Sequence, residues 1–199
     1  MGCILIDNEV SLRLDSLAMS DLNKSRLKEI LQEKSILRGD FTLASGKKST
    51  YYIDGRRTTL DAEGVNLIGK LILEEINKDS SIVAVGGPTM GADPIVGSVL
   101  ALSQEADCPL QGFLVRKEEK GHGTGKMVEG NLKTGDTVAM VEDVVTTGGS
   151  VIRAINAVRE AGAEVKTLLV IVDREEGAKS KFEEMGIQFF SIFKISELL

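Results

Sequence analysis

The sequence predicts an α/β fold: a parallel sheet with helices on both faces, preceded by a small N-terminal hood. Five short apolar runs recur along the chain: IVAVGG from Ile82, QGFLVR, TVAMVED, VKTLLVIVD and IQFFSIF. They are nearly continuous rather than alternating, as strands buried on both faces are. Segments with apolar residues at helical spacing separate them, and strand alternating with helix is the pattern of a parallel sheet.

In order, residues 21–35 place Leu27, Ile30 and Leu31 on one face, with Ser20 or Asp21 as N-cap and Gly39 past the end, which predicts a first helix. FTLASGKKSTYYID alternates through Phe41 and Leu43, turns at Gly46 and Lys47 and resumes with Tyr51 and Ile53, a hairpin pattern. Tyr51 and Tyr52 face opposite ways on that strand, so one is available to a ligand. Val65, Ile68, Ile72 and Ile76 mark a second helix ahead of IVAVGG. Helices follow around Ile95–Leu102, from about Ser150 and near Lys181, with a long polar, Gly-rich loop between QGFLVR and TVAMVED. The organisation is an extension over 1–20 and one domain over 21–199, with the hood at about 36–60 and the core at about 61–199. Ligands of such a sheet sit beyond the carboxyl ends of its strands, so the loops after Val85, Arg116, Val141 and Val172 are expected to line one site.

With 199 residues, 42% hydrophobic and 27% charged, the chain is long and apolar enough for a sizeable core and too rich in it for disorder. Lys and Arg number 24 against 30 Asp and Glu, a net charge of -6, so no global basic field attracts nucleic acid and any anion site is built locally. Cys3 and Cys108 have no partner at metal-ligand spacing. The N-terminal MGCILIDNEVSLRL lacks a leading basic region, Asp7 and Glu9 interrupt its apolar patch, and no run reaches the length of a membrane span. These features predict a soluble, cytoplasmic protein that binds neither membrane nor nucleic acid.

The most specific segment is VAMVEDVVTTGGS. An apolar strand delivers Glu142 and Asp143, and Val144, Val145, Thr146, Thr147, Gly148, Gly149 and Ser150 lead into a helix. Hydroxyls, glycines and free N–H groups at a helix start cradle a phosphate. Two carboxylates beside that phosphate would repel it unless they bind hydroxyls, a metal or developing positive charge, so the segment asks for a ribose 5-phosphate. The second constellation, VRKEEKGHGTGKMVEG, gathers Arg116, Lys117, Lys120, His122 and Lys126 among four glycines in an otherwise acidic chain. A segment of that composition can close over a pyrophosphate. Walker and dinucleotide patterns do not fit it: Lys126 is followed by Met127, and no strand-to-helix transition surrounds the glycines.

The first segment resembles the phosphoribosyl pyrophosphate (PRPP) motif of type I phosphoribosyltransferases. With the second in view, the resemblance over roughly residues 20–195 narrows to the orotate phosphoribosyltransferases. The hairpin is similar to that family's hood, GGPTMGADPI to its pyrophosphate loop, and VDREEG puts Arg174 where the family has an arginine near orotate. The resemblance implies transfer of a phosphoribosyl group from PRPP to orotate, yielding orotidine 5-monophosphate in pyrimidine (UMP) biosynthesis. Lys120, His122, Glu142 and Asp143 are implied as catalytic. PRPP is assigned to Arg116, Lys117, Lys120, His122 and the run from Glu142 to Ser150, and orotate to Thr146 and Arg174. Mg²⁺ is implied as cofactor, held mainly through PRPP rather than by protein side chains, and a homodimer is implied in which Lys117, Lys120 and His122 serve the neighbouring subunit. Two lysines that some members carry are replaced by Ala44 and Gly91, and the acid pair is Glu-Asp where others have two aspartates. A purine-base phosphoribosyltransferase and a non-catalytic PRPP-sensing module are the alternative readings.

Overall fold

A computed structural model describes residues 18–42, 48–118 and 127–199. Residues 18–30 form helix α1, which continues into a π-turn over Leu31–Ser35. The hood is a hairpin of β1 (Ile36–Thr42) and β2 (Lys48–Ile53), antiparallel, with a bulge between Arg38 and Phe41. A single turn, α2 (Arg56–Thr59), leads to α3 (Ala62–Ile76). The core then runs β3 (Ala84–Pro88), α4 (Asp93–Glu105), β4 (Gln111–Val115), β5 (Val128–Gly130), β6 (Thr137–Val145), α5 (Gly149–Glu160), β7 (Glu164–Asp173), α6 (Ala178–Glu184) and β8 (Gln188–Lys194). Its six-stranded sheet has the order β5-β4-β3-β6-β7-β8, parallel except for β5, which pairs antiparallel with β4.

The continuous apolar runs follow from burial on both faces. On β6, Ala139 and Val141 enter one core, while Val138 and Met140 enter the other; on β7, Leu169 and Ile171 oppose Leu168 and Val170 in the same way. The first core is closed by Leu27 and Ile30 of α1, Ile68 and Ile72 of α3, and Ile95 and Val99 of α4. The second is closed by Val151, Ile155 and Val158 of α5 and by Phe182 of α6. Each such side chain taken fully out of water contributes about 1.5–3 kcal/mol. Asp61 caps α3 by accepting the Gly64 N–H at 2.9 Å.

The hood is fixed to the core at its base. The Asp54 N–H donates to the Ser35 carbonyl at 2.9 Å, and the Ser35 and Thr58 hydroxyls share a buried hydrogen bond of 2.7 Å. Lys34 pairs with Asp61 across the same junction. This anchoring carries the end of β2 to the carboxyl ends of the central strands, where Gly55 meets Asp143 of β6.

Three expectations are corrected. The first helix starts by residue 18, ahead of Ser20 and Asp21, so neither is its N-cap. Its last turn is π-wound, and Gly39 lies in β1 rather than closing the helix. The loop between QGFLVR and TVAMVED contains a strand, β5, whose three residues are too few to show a period. The Gly46–Lys47 turn, Ala44, Lys120, His122 and Lys126 lie outside the described residues.

Candidate active site

The carboxyl ends of β3, β4 and β6 open into a cleft of about 400 Å³ that also draws on the end of the hood and the first turns of α5. Its walls include Tyr52, Asp54, Gly55 and Arg56 from the hood, Pro88–Gly91 after β3, Arg116 and Lys117 after β4, Glu142, Asp143 and Val144 on β6, and Ser150 and Arg153 on α5. Three of the four strand-end loops expected to meet therefore do so, joined by a hood segment.

Glu142 and Asp143 sit on β6 two residues before its end. Glu142 is only 7% exposed and its Oε1 accepts the Asp143 N–H at 3.2 Å; Asp143 Oδ1 accepts the Val144 N–H at 2.8 Å. Burial first, then a side-chain hydrogen bond with the Asp143 carboxyl and the repulsion between the two acids, push the Glu142 carboxyl up to about 9, against the Asp143 N–H and the Lys117 charge, which favour its ionised form. Burial and the neighbouring acid therefore disfavour a second full negative charge beside Asp143. Two glycines make room for the carboxyl groups. A Cβ on Gly91 would lie 2.3 Å from Glu142 Oε1, and one on Gly55 would lie 2.7 Å from Asp143 Oδ2. Position 91 therefore accepts no side chain while Glu142 keeps this pose.

Beyond the pair, the chain turns through Thr146 and Thr147 to Gly148, whose φ of +81° starts α5 from a left-handed residue. A Cβ there would also meet Phe182 Cζ at 2.7 Å, so glycine is required twice over. The Lys181 ammonium donates to the Thr147 carbonyl at 3.0 Å and ties this loop to α6. Ser150 reaches the cleft wall, whereas Thr146, Thr147, Gly148 and Gly149, at the α5 N-terminus, are not part of that wall. The loop after β3 is braced by the Thr89 N–H on the Val115 carbonyl (2.9 Å) and the Thr89 hydroxyl on Asp93 (3.1 Å); the Thr89–Met90 peptide is cis.

Arg174 is not on the wall of this cleft, so the loop after Val172 departs from the expected convergence. Its side chain is 10% exposed, its guanidinium carbon lies 5.5 Å from the Tyr51 ring centre, and a terminal nitrogen is 3.4 Å from Glu176 Oε1. Its Nε is buried with no hydrogen-bond partner. Tyr51 and Tyr52 do separate as alternation requires: Tyr51 packs on the core beside Arg174, and Tyr52 lines the cleft, 5.8 Å from Phe41.

Sequence reasoning passed over Asp54, Gly55, Arg56, Met127 and Arg153, all on the cleft wall. Arg56 bonds Asp54 at 2.9 Å. The signal available for Arg153 was its spacing, three residues after Ser150 on a helix that begins at the phosphate-type loop.

A parallel sheet with an acid pair and a Thr/Gly loop at its central strand defines a phosphoribosyl transferase domain, and the model of that family matches residues 58–191. The orotate phosphoribosyltransferase of Aquifex aeolicus (strain VF5) is 44% identical over 181 residues, covering 89% of this chain and 98% of that protein. That of Pyrococcus furiosus is 43% identical over 178 residues, covering 89% and 95%. The chain belongs to the orotate phosphoribosyltransferase family. Among solved structures, Mycobacterium tuberculosis H37Rv orotate phosphoribosyltransferase in complex with PRPP superposes with a TM-score of 0.75 at 35% identity, over 88% of this chain and 98% of that one. The adenine phosphoribosyltransferase of Leishmania donovani, at 16% identity and a TM-score of 0.63, shares the fold alone.

Proposed function

We propose that this chain transfers the 5-phosphoribosyl group of PRPP to orotate, releasing pyrophosphate and forming orotidine 5-monophosphate for pyrimidine biosynthesis. The observation that carries the reading is the acid pair on the cleft wall, followed without a break by the phosphate-type loop at the α5 N-terminus. The family membership and the PRPP complex of the M. tuberculosis relative support it.

In this reading the orotate ring nitrogen forms a bond to ribose C1 as the bond from C1 to the pyrophosphate oxygen breaks, and the ribosyl ring carries positive charge between the two events. The run Val144, Val145, Thr146, Thr147, Gly148, Gly149 and Ser150 holds the 5-phosphate on free N–H groups and hydroxyls, which spends remote binding energy on positioning C1. Glu142 and Asp143 hold the ribose diol and face the developing cation. The raised proton affinity of Glu142 lessens the pair's charge toward an incoming polyphosphate. Arg116, Lys117, Lys120 and His122 neutralise the departing pyrophosphate. Losing one preorganised contact of this kind typically lowers the rate by about 10²–10³.

Arg174, with its unpartnered Nε, is the proposed partner of the orotate carboxylate and carbonyl, together with Thr146. Among the described residues no group of three or more His, Cys, Asp or Glu could hold a metal. The pair Glu142–Asp143 with no third ligand suits Mg²⁺ held by the substrate's phosphates and water rather than a protein cage. When bound, Mg²⁺ would neutralise pyrophosphate charge. We further place 21–199 as one catalytic unit acting as a cytosolic homodimer, with the basic segment after β4 serving a neighbouring subunit. Among the described residues no helix is long and apolar enough to cross a membrane.

The test is a base panel: PRPP and Mg²⁺ with orotate, adenine, hypoxanthine or uracil, followed by ultraviolet absorbance and product identification. Turnover confined to orotate is expected. Turnover with a purine, or PRPP binding without transfer to any base, would replace this reading with one of the two alternatives.

A further inference from the structure

Four cations line the cleft: Arg56, Arg116, Lys117 and Arg153. The first two are already engaged, Arg56 by Asp54 at 2.9 Å and Arg116 by its approach to Glu129 at 3.9 Å. Arg153 is exposed on the cleft wall and has no hydrogen-bond or ion-pair partner among the described residues. It stands one turn into α5, three residues after Ser150, and shares the wall with Ser150, Ala154 and Met127. Helical side chains lean toward the N-terminus of their helix, so position 153 leans toward the α5 start, where the macrodipole also favours an anion. The acid pair lies on the same cleft, yet Arg153 makes no ion pair with it. An always-charged fork held open beside a phosphate-type loop matches a phosphate group in shape and charge.

We propose that Arg153 is a further substrate-binding residue of this cleft, contacting a phosphate group of PRPP. The inference rests on the proposed activity and adds a residue that neither the acid pair nor the basic segment after β4 supplies.

The experiment uses the full chain with Arg153→Gln and Arg153→Lys. Calorimetry measures PRPP binding at two salt concentrations, and steady-state assays give KM for PRPP and for orotate. Inorganic pyrophosphate and ribose 5-phosphate serve as competing probes. Arg153→Gln is expected to weaken PRPP binding about tenfold or more and to flatten its salt dependence, with KM for orotate and the melting temperature unchanged. Arg153→Lys, which keeps the charge without the fork, should restore part of the loss. Weaker competition by pyrophosphate places the contact at the leaving group, and weaker competition by ribose 5-phosphate places it at the 5-phosphate; either supports the inference. An active wild type whose Arg153→Gln form binds PRPP as tightly as before would overturn it. A wild type that neither binds PRPP nor consumes orotate would instead overturn the underlying activity, so the two failures are distinct.

Discussion

Replacing Glu142 by Gln removes a carboxyl whose proton affinity rises on folding, from the ordinary 4.5 to about 9, through burial first and then its contact with Asp143. Between those values the native state keeps a proton that the unfolded chain has released. Stability from this group is therefore fully present below pH 4.5 and is lost as pH rises toward 9. The slope for one proton is about 1.36 kcal/mol per pH unit. From pH 6 to pH 8 the wild type should lose on the order of 3 kcal/mol that Glu142→Gln does not, since titrations remote from the acid pair cancel in the difference. Urea unfolding of both proteins at pH 6, 7 and 8 measures it. Asp143→Asn should also flatten the wild-type slope, since Asp143 supplies the second and third causes of the shift. A stability difference between wild type and Glu142→Gln that stays constant over this range would refute the argument.

Two further outcomes follow from the same geometry. Gly148→Ala forces a Cβ onto a residue at φ +81° and to within 2.7 Å of Phe182 Cζ, so it should destabilise the protein by about 2 kcal/mol or more in thermal unfolding and weaken PRPP binding. Arg174→Gln should raise KM for orotate roughly ten- to a hundredfold, the range for a hydrogen bond to a charged group, and leave PRPP binding nearly unchanged; an effect on PRPP alone would remove Arg174 from the orotate contacts.

The sheet was legible because its chemistry is local. Strands β6 and β7 are apolar on both faces, as Ala139 with Met140 and Leu168 with Leu169 show, and this yields an unbroken run that no surface strand would have. The acid pair and the loop to Ser150 were legible for a similar reason: nine consecutive residues carry both groups and their spacing. Strand β5 was hidden because Val128–Gly130 pairs at a sheet edge and its identity comes from β4, not from itself. Gly55 and Arg56 were hidden because the hood brings them to the cleft through tertiary contacts such as the Asp54–Ser35 hydrogen bond and the Ser35–Thr58 contact. Arg174 was expected among the cleft residues from its strand-end position, but its side chain folds onto Tyr51 and toward Glu176, a tertiary contact that position cannot reveal.

If the acid pair on β6 marks the centre where PRPP reacts with orotate, the rate of orotate loss in wild type and Asp143→Asn, with PRPP and Mg²⁺ present, depends on it. Rapid orotate loss is expected in wild type, with a rate roughly a hundredfold lower in Asp143→Asn at unchanged fold by circular dichroism. Equal rates in the two proteins, or no orotate loss in wild type, would contradict it.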